Sequence, residues 1–400
     1  MKNQSVIVAP AGKFQIPIVY ELKKIGVSVI CIDEKYDAEA MEFADLRIAL
    51  PLNRTEDIFE QIAKSDLMPV GGISYCSDAG AELISLLSLK FGFHATAIEV
   101  IKSLTDKYLQ RISWQDTEIP IPKWRLCRSL EDFISSTSEL DGELVVKPTD
   151  SSGSRGVSFT DYYDPLKLKK YSIARNFSRQ GLVLTETKLE GIEYTVDIFL
   201  ESNSSIPLCV TKKEKGMKEL STVSNLLETM DLNSSLTQEL IKTVALAARN
   251  LNYNEGPVHA EIFAKDEEIT GVVEIAGRGG ASNLASRLVE VHSGINYLSA
   301  TCDFIFRRPF KETHHSNKPS LMYFIPTSKG ILKEISFDKR RVLAGDIEVN
   351  LYKKNGELLT DPTSDGDRLG DIIVSSESHD KNREILKEFL TSLVVVFEND

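Results

Sequence analysis

The sequence lacks the two glycine-rich signatures by which many nucleotide-binding enzymes are recognised. Its first predicted strand is followed by AGKFQ (residues 11–15) instead of GxGxxG, and no GxxxxGK[ST] loop occurs anywhere in the chain. In nicotinamide dehydrogenases and in P-loop enzymes, respectively, these glycines let the backbone approach phosphate groups closely. The sequence therefore disfavours both of these enzyme classes.

The chain also has few cysteines and no long apolar run. Its five cysteines include no CxxC pair. An odd number of cysteines, together with an N-terminus that does not resemble a secretory signal, predicts reduced thiols and a cytoplasmic protein. No apolar stretch reaches the length that a membrane-spanning helix requires. We therefore expect no association with a membrane.

Acidic residues outnumber basic ones, which constrains the kind of partner that the protein binds. There are 59 Asp and Glu against 47 Lys and Arg, and the net charge is −12. Such an excess disfavours a surface that binds nucleic acid. A chain of 400 residues with 42% hydrophobic and 26% charged residues is typical of a soluble globular enzyme with two or three domains.

Residues 1–103 alternate short apolar strands with single helices. SVIVA (5–9) is typical of a buried strand, and IPIVYELKKIG (16–26) is typical of a helix. This alternation predicts an α/β domain with a Rossmann-like parallel sheet. Ligands of such sheets bind beyond the carboxyl ends of the strands, where we expect the loop that contains Asp78.

Residues 256–276 predict a β-hairpin that brings two glutamates together. Side chains alternate between the two faces of a strand, so one face of each predicted strand carries His259, Glu261 and Phe263 in the first and Val272, Glu274 and Ala276 in the second. A chain reversal at Glu267–Glu268 would place Glu261 opposite Glu274. Two facing carboxylates repel each other unless a divalent cation lies between them. The segment alone fits a metal site and a hairpin with solvated glutamates equally well.

A loop rich in glycine and serine, TDSSGSRGV (149–157), follows the predicted strand ELVVKP. Small residues let backbone N–H groups approach phosphate oxygens, and Lys147 and Arg155 supply positive charge at the two ends of the loop. The same composition is also typical of a flexible linker. Because a lysine ends the strand, we favour the phosphate interpretation. The preceding segment 119–129, which contains two prolines, predicts a linker between units.

A second polar turn lies in LTETKLEGIEYTVD (184–197), between two apolar strands. Glu186 and Glu193 flank the turn at Glu190–Gly191. A carboxylate at a strand edge can accept hydrogen bonds from ribose hydroxyls, as acidic residues do in other nucleotide-binding folds. A polar hairpin turn without a ligand is the simpler interpretation of this segment taken alone.

Six segments, taken in order, resemble the motifs of the ATP-grasp superfamily of carboxylate–amine (or thiol) ligases. They are DKYLQR (106–111), VVKPTDSSGSRGV (145–157), ETKLEGIEYTVD (186–197), TKK (211–213), GPVHAEI (256–262) and VEIAGRGG (273–280). The pattern is most similar to bacterial L-amino acid ligases and to carbamoyl-phosphate-synthase-like members. It implies an α/β ATP-grasp fold with an N-terminal domain (1–103), an ATP-grasp domain (104–310) with a mobile lid over about 120–187, and a β-rich C-terminal region (311–400).

The resemblance also implies roles for individual side chains around ATP and Mg²⁺ (or Mn²⁺). The implied nucleotide contacts are Lys107 and Lys147 at the phosphates, Ser151, Ser152, Gly153, Ser154 and Gly156 in the lid loop, Glu186, Lys188 and Leu189 at adenine, Glu193 at ribose, and Lys213 as a further basic contact. Glu261 and Glu274 match the metal ligands, and Arg278 matches the arginine that steadies the transferred phosphoryl group. Many relatives have Asn where this chain has Ala276, which leaves open how a second Mg²⁺ is held.

The implied reaction activates a small-molecule carboxylate as an acyl phosphate and joins it to an amine, with Arg278, Lys147 and Glu274 as the catalytic group. The candidate substrate contacts are His259, Arg287 and Asp78. For His259 a packing role alone, and for Arg287 a solvated helix start, fit as well. His314 and His315 lie in the polar segment KETHHSNK, which predicts a surface loop.

Two other functions stay open from the sequence. One is a carboxylase or another relative that activates formate or bicarbonate, and the other is a nucleotide-binding subunit without turnover. Retention of Lys147, Glu261, Glu274 and Arg278 disfavours the second. By analogy with relatives, which are often dimers, we expect a homodimer that acts on small molecules.

Overall fold

The computed structural model of the chain describes five stretches: residues 3–215, 224–310, 316–343, 345–360 and 367–398. His314 and His315 lie outside these stretches. Within them the strands form four sheets, of four, eight, three and four strands. None of the helices in these stretches combines the length and apolar character needed to cross a bilayer.

The N-terminal region is a parallel sheet flanked by helices, as predicted. Its elements are β1 (Asn3–Val8), α1 (Ile16–Lys24), β2 (Ser28–Asp33), β3 (Leu46–Ala49), α2 (Thr55–Ala63), β4 (Leu67–Ile73) and α3 (Ala81–Phe91). The strand order is β3-β2-β1-β4, with all pairs parallel. The loops after β1 and β4 meet closely, because a Cβ at Gly80 would lie 1.8 Å from the carbonyl oxygen of Ala9. Only glycine fits at this contact.

Two helices lead from this sheet into a smaller antiparallel unit. They are α4 (Ile98–Thr105) and α5 (Lys107–Trp114), and the unit that follows contains β5 (Trp124–Cys127), α6 (Leu130–Glu139), β6 (Leu144–Pro148), β7 (Ser158–Thr160), α7 (Lys167–Phe177) and β8 (Val183–Thr187). We call this unit the lid. Its strand order is β5-β8-β6-β7. The linker prediction for 119–129 was wrong in part, because Trp124–Cys127 pairs with Val183–Glu186, a partner that is distant in sequence.

The largest of the four sheets has eight strands. Its first part contains β9 (Ile192–Glu201), β10 (Ser204–Lys215), β11 (Ser224–Thr229), α8 (Ser235–Asn250), β12 (Gly256–Lys265) and β13 (Glu268–Ala276). One face packs against α8, whose buried residues include Leu240, Val244 and Ala247. Alternate residues of β9 and β12, such as Val196 and Ala260, belong to that core. The intervening residues therefore point to the opposite face of the sheet.

The C-terminal region is β-rich, and it extends the same sheet. After a π-helical turn (Leu284–Leu288), α9 (Val289–Ser293) and α10 (Tyr297–Ile305), it contains β14 (Ser320–Ile325), β15 (Gly330–Ser336), α11 (Lys339–Leu343), β16 (Ile347–Leu351), β17 (Leu358–Leu359), β18 (Gly370–Ser375), α12 (His379–Leu390) and β19 (Val394–Glu398). The eight-stranded order is β13-β12-β9-β10-β11-β14-β18-β16, and β17-β15-β19 form a separate sheet. Strands from both sides of the predicted boundary at residue 310 thus belong to the same sheet. The domain limits stay predictions.

The β12–β13 hairpin places Glu261 directly opposite Glu274, as predicted. The turn lies at Asp266–Glu267, one residue earlier than expected, and both of these residues have positive φ. The prediction that Val272 shares the face of Glu274 was wrong. Val273 is an extra residue between the pairs Glu261–Glu274 and Ile262–Val272, and such a β-bulge turns the next side chain to the other face.

The residues of the bulge are also hydrogen-bonded outside the hairpin. The amide of Val272 donates to the carbonyl of Pro120 (2.8 Å), and Arg111 Nη2 donates to the carbonyl of Val273 (2.7 Å). These two contacts satisfy backbone groups on the outer side of β13, which is the edge strand of the sheet. Val272 consequently packs in the core under α8.

Candidate active site

Three neighbouring rows of side chains cross the face of the large sheet that points away from α8. Glu193, Thr195 and Asp197 share this face on β9, and residues two apart on a strand are about 7 Å apart. Across the ladder, Glu193 pairs with Phe263, Thr195 with Glu261, and Asp197 with His259; β13 continues the last two rows with Glu274 and Ala276. Because side chains alternate between the two faces of a strand, three adjacent rows of side chains lie on this one face of the sheet.

A cavity of about 920 Å³ lies between this face, the lid and the segment that joins β8 to β9. It is where most of the predicted nucleotide and metal contacts come together: Lys107, Lys147, Ser151, Ser152, Gly153, Ser154, Glu186, Lys188, Leu189, Glu193, Lys213, Glu261 and Glu274 all line it. Of the other predicted site residues, all of which the structure describes, Gly156, Arg278, His259 and Arg287 stand outside this lining. Asp78 lines a smaller adjoining cavity of about 30 Å³, together with Lys107, Ser151, Ser152 and Glu274.

Each carboxylate of the facing pair has a lysine partner. Lys107 Nζ lies 2.6 Å from Glu274, and Lys213 Nζ lies 2.5 Å from Glu261. Burial alone would raise the pKa of Glu274, but the ammonium of Lys107, together with Lys147 and Arg278, outweighs burial and lowers that pKa to about 2. Burial keeps the pKa of Glu261 above its usual value despite Lys213. Within the pair, the pKa of Glu274 is therefore lowered and that of Glu261 is raised.

This donor set fits Mg²⁺ chemically. Within the described residues no group of three or more His, Cys, Asp or Glu side chains forms a metal cage. Mg²⁺ is usually held by one or two carboxylates, with substrate phosphates and water completing its octahedral shell. Two adjacent carboxylates facing a cavity that also contains cationic lysines provide that arrangement.

The predicted ribose contact is coupled to the metal pair through Lys213. Lys213 Nζ lies 2.6 Å from Glu193 as well as 2.5 Å from Glu261, and Lys215 Nζ lies 2.8 Å from the second oxygen of Glu193. These lysines keep Glu193 ionised, because their attraction lowers its pKa against the effect of burial. A ligand that binds Glu193 or Glu261 must therefore compete with Lys213 or share it.

Glu186 belongs to a buried ion cluster beneath the cavity. Its carboxylate accepts from Arg111 Nε (2.8 Å) and lies 2.6 Å from Lys147 Nζ. Arg111 is fully buried and Lys147 is 3% exposed. Burial would raise the pKa of Glu186, but the two cations lower it. The adenine role predicted for Glu186 stays a prediction, and the structure adds that its carboxylate fixes Lys147.

The start of α5 places Lys107. The side chain of Asp106 accepts hydrogen bonds from the amides of Tyr108 and Leu109, which caps the helix so that it begins at Lys107. Lys107 Nζ then donates to the carbonyl of Ser151 in the lid loop (2.7 Å) as well as pairing with Glu274. One ammonium thus joins the lid loop to the metal pair.

The lid loop itself is shaped by glycines. Gly153, Ser154 and Gly156 have positive φ. Gly156 faces the lid core, because a Cβ at this position would lie 3.0 Å from Phe177. Its contribution is to the backbone path, which brings Ser151, Ser152, Gly153 and Ser154 to the cavity wall.

Arg278 and Asp78 form a bidentate ion pair between the large sheet and the N-terminal region. Arg278 Nε and Nη2 donate to the two oxygens of Asp78 at 2.9 and 3.1 Å. The amide of the next residue, Gly279, donates to the carbonyl of Tyr75 (2.9 Å). This ion pair joins two residues that are 200 positions apart in the sequence, and it lies at the end of the cavity next to Glu274.

The other two predicted substrate contacts are already engaged within the protein. Arg287 pairs with Glu348 (2.8 Å) and Glu290 (2.6 Å). His259 Nδ1 lies 3.1 Å from both oxygens of Asp197. A substrate role for either residue stays a prediction.

Arg111 and Asp197 were not predicted as site residues from the sequence. Asp197 is 1% exposed and also accepts from the amide of Gly280 (3.1 Å). The alternation in EYTVD puts Asp197 on the face of Glu193, so the pattern was sufficient to include it. No local pattern indicates Arg111, because its partner Glu186 is 75 residues away.

Comparison with known proteins agrees with this arrangement. The profile of the ATP-grasp domain matches residues 140–286, which contain most of the cavity lining. The chain contains an ATP-grasp domain. A second profile, L-amino acid ligase C-terminal domain 2, matches residues 322–398, downstream of the ATP-grasp domain. The predicted family and fold class are both confirmed.

Several proteins similar to this chain are of low sequence identity and differ in the reactions that their names describe. A formate-dependent phosphoribosylglycinamide formyltransferase of Prochlorococcus marinus is 21% identical over 280 residues, which are 66% of this chain and 68% of that protein. An L-amino acid ligase from Bacillus licheniformis superposes over 100% of both chains with a TM-score of 0.83 and 17% identity. A biotin carboxylase domain dimer from Hydrogenobacter thermophilus, in complex with MgADP and bicarbonate, covers 99% of this chain and 91% of its own with a TM-score of 0.75 and 14% identity. At these identities the structural likeness establishes the fold.

The turn that joins the lid to the large sheet of the ATP-grasp domain depends on Gly191. Its φ is +101°, and a Cβ there would lie 2.2 Å from the carbonyl oxygen of Ala264. We expect Gly191→Ala to weaken ADP binding about tenfold or more, which is about 1.4 kcal/mol, because the clash with the Ala264 carbonyl shifts the cavity wall. Calorimetric titration with MgADP measures this change.

Gly181→Ala is the matched control for the Gly191 variant. Gly181 also has positive φ, but a Cβ there would meet only Arg175 Nε at 3.7 Å, an ordinary contact. Backbone strain alone should therefore leave ADP affinity close to that of the wild type. Equal affinities of Gly191→Ala and the wild type would contradict the role assigned to this turn.

Proposed function

We propose that the protein is an ATP-dependent ligase that activates a small-molecule carboxylate as an acyl phosphate and joins it to an amine, releasing ADP and phosphate. The observation that carries this proposal is the Glu261–Glu274 pair, with Lys107 and Lys213 beside it, at the wall of a cavity that adjoins Asp78, the ion-pair partner of Arg278. Nucleotide binding alone does not require two facing carboxylates and a buried arginine at this end of the cavity.

ATP would bind in the large cavity in one orientation. Glu193 lies in the first row with two lysines, where it can accept the ribose hydroxyls, and Lys188 and Leu189 line the wall beside it for adenine. Glu261 and Glu274 in the second row would hold Mg²⁺. When bound, Mg²⁺ neutralises phosphate charge and orients the transferred group.

The side chains around the phosphates would supply positioning and positive charge. Phosphoryl transfer needs little else from a protein, because the transferred group passes through a loose transition state with charge spread over its oxygens. Lys147, anchored by Glu186, and Lys107, held between Glu274 and Ser151, lie where they can contact phosphate oxygens. The lid loop would cover them and exclude water from the reactive acyl phosphate.

The carboxylate and the amine would meet at the Arg278–Asp78 end of the cavity. The Arg278 guanidinium is buried but fully charged. Burial alone would lower the pKa of Arg278, and the Asp78 carboxylate beside it outweighs burial and raises that pKa. Arg278 can thus steady the transferred phosphoryl group. Asp78, which shares the adjoining small cavity with Glu274, is positioned to attract the ammonium of an amino acid substrate. Attack of the amine on the acyl carbon expels phosphate, and the amine loses a proton.

An amino acid is the acyl substrate that we favour. The match of residues 322–398 to an L-amino acid ligase C-terminal domain supports it, because that part of the chain contributes to the sheet behind the site. Activation of formate or bicarbonate is the second candidate, since relatives of about one fifth identity include a formate-dependent formyltransferase. A nucleotide-binding subunit without turnover is the third.

We further propose a homodimer in the cytoplasm. The dimer is supported by the biotin carboxylase domain of similar fold, which was solved as a dimer. The compartment is supported by the five cysteines, all of which are buried free thiols, as is usual where thiols are kept reduced.

The experiment that tests the proposed function measures phosphate release from MgATP with the 20 amino acids, singly and in pairs, and with formate and bicarbonate. We expect release that depends on one amino acid or one pair, with a product mass equal to the two minus water. Release that depends only on formate or bicarbonate would move the protein to the second candidate. Absence of phosphate release with every compound, while MgADP binds, would favour the third candidate, a nucleotide-binding subunit without turnover.

A further inference from the structure

A third row of side chains lies on the sheet face beside the two rows assigned to ribose and metal. It consists of Asp197, His259 and Ala276, which pair in register across β9, β12 and β13. It lies next to the Glu261–Glu274 row, on the side away from Glu193. A nucleotide whose ribose lies at the first row and whose phosphates lie at the second points its γ-phosphate toward this third row.

Asp197 holds two groups at once. Its carboxylate lies 3.1 Å from His259 Nδ1, and its Oδ1 also accepts the amide of Gly280 at 3.1 Å. Asp197 is 1% exposed. Because an ionised carboxylate only accepts hydrogen bonds, His259 must carry its proton on Nδ1 when neutral, and Nε2 is then directed away from Asp197.

Gly280 belongs to the loop that carries Arg278. This loop is tightly packed, since a Cβ at Gly279 would lie 2.5 Å from the hydroxyl oxygen of Tyr297. The amide of Gly279 is fixed by Tyr75 and that of Gly280 by Asp197. Asp197 therefore sets the distance between the His259 ring and the Arg278 loop.

Ala276 lies directly opposite His259 on the neighbouring strand. Directly opposed side chains on neighbouring strands have Cβ atoms about 4.5–5.5 Å apart, and the side chain opposite His259 is a single methyl group. A larger side chain at position 276 would occupy the surface next to the imidazole. In this chain Ala276 lines the small cavity that Asp78 and Glu274 also line, so that cavity reaches the third row.

We propose that the third row seats the carboxyl group that is activated, with His259 as its direct contact and Asp197 as a positioning residue. This inference rests on the proposed function. The carboxylate must approach the γ-phosphate in line from the side opposite to ADP, and the third row lies on that side. Asp197 acts through others: it fixes the His259 ring and the Gly280 amide around the carboxyl group.

The test is a comparison of wild type and Asp197→Asn in a trapping assay with MgATP, hydroxylamine and the same panel of amino acids, formate and bicarbonate. Hydroxylamine converts an acyl phosphate into a hydroxamate and phosphate, so the readout needs no knowledge of the natural amine. Asparagine can still accept from Gly280, but its amide N–H₂ faces His259 Nδ1 and reverses the imidazole tautomer. We expect kcat/KM for the carboxylate to fall about 100-fold, while KM for ATP and the MgADP affinity change by about twofold at most.

Two comparisons separate a positioning role from a structural one. Asp45→Asn, in the N-terminal region, removes a carboxylate that accepts the amide of Val29 (2.8 Å) far from the cavity, and it should behave as the wild type. His259→Ala should reproduce the loss in kcat/KM for the carboxylate and retain MgADP affinity.

The outcomes distinguish this inference from the proposed function. Wild-type kinetics for Asp197→Asn, or equal losses in carboxylate kcat/KM and MgADP affinity, would overturn the inference and leave the proposed function standing. Absence of hydroxamate from the wild type with every carboxylate, while MgADP binds, would overturn the proposed function and the inference with it.

Discussion

Replacing Glu274 by Gln is expected to lower the kcat of ATP turnover by about a thousandfold, a loss comparable to removal of a main electrostatic contact in other enzymes. Glu274 is the carboxylate of the facing pair that Lys107 keeps ionised, with a pKa of about 2. The amide keeps the shape but removes the charge. Lys107 then loses its partner at 2.6 Å, and Mg²⁺ loses a ligand.

Nucleotide binding should largely survive this substitution, because Glu193, Lys188 and Leu189 lie elsewhere along the cavity wall. Phosphate release measures the first effect and titration with metal-free ADP measures the second. Glu268→Gln is the control, since Glu268 is exposed at the start of the same strand. If Glu274→Gln released phosphate at the wild-type rate, Glu274 would have no role at the metal.

Glu186→Gln is expected to have the largest effect on stability. It leaves Arg111 and Lys147, both almost completely buried, without their shared carboxylate. Removing one partner of a buried ion pair costs about 3–5 kcal/mol, because an uncompensated charge stays in a low dielectric. We expect a lower midpoint temperature by differential scanning calorimetry, and weaker MgATP binding because Lys147 is no longer held at the cavity wall.

The pH dependence of this effect has a defined sign. The cations lower the pKa of Glu186 in the folded state. Its contribution is therefore fully present above the pKa of an unfolded glutamate and is lost as the pH falls through the lowered folded value. The difference in midpoint temperature between wild type and Glu186→Gln should shrink in acid.

Glu139→Gln serves as the control within the lid. Glu139 pairs with Arg125 at 2.8 Å, but both side chains are about half exposed. Exposed ion pairs contribute little to stability, so we expect no measurable change in the midpoint temperature. An equal loss in both variants would show that the buried cluster has no special importance.

The parts of the site that follow from local alternation could be predicted from the sequence. Glu261 opposite Glu274 needs only two strands and a tight turn, and both the pairing and the lysine at the end of β6 were predicted correctly. The N-terminal parallel sheet follows from the same kind of pattern, since its buried strands are short apolar runs separated by amphipathic helices.

The parts that depend on distant contacts could not be predicted. The bulge at Val273 is bonded to Pro120 and Arg111, more than 100 residues upstream. The predicted face of Val272 was wrong because one inserted residue reverses the alternation of side chains that follows it. The ion pair between Arg278 and Asp78 likewise depends on how two regions of the chain dock, which no spacing along the sequence encodes.

The shared sheet also determines how the protein can be shortened. β14 pairs with β11 through Leu226–Tyr323, Leu227–Met322 and Glu228–Leu321, so a chain cut after residue 310 would leave one side of β11 without a neighbour. An unpaired strand edge is a template for strands of other molecules. Expression of the first 310 residues alone should therefore give aggregates, because in the full chain β11 is paired with β14 of the same molecule.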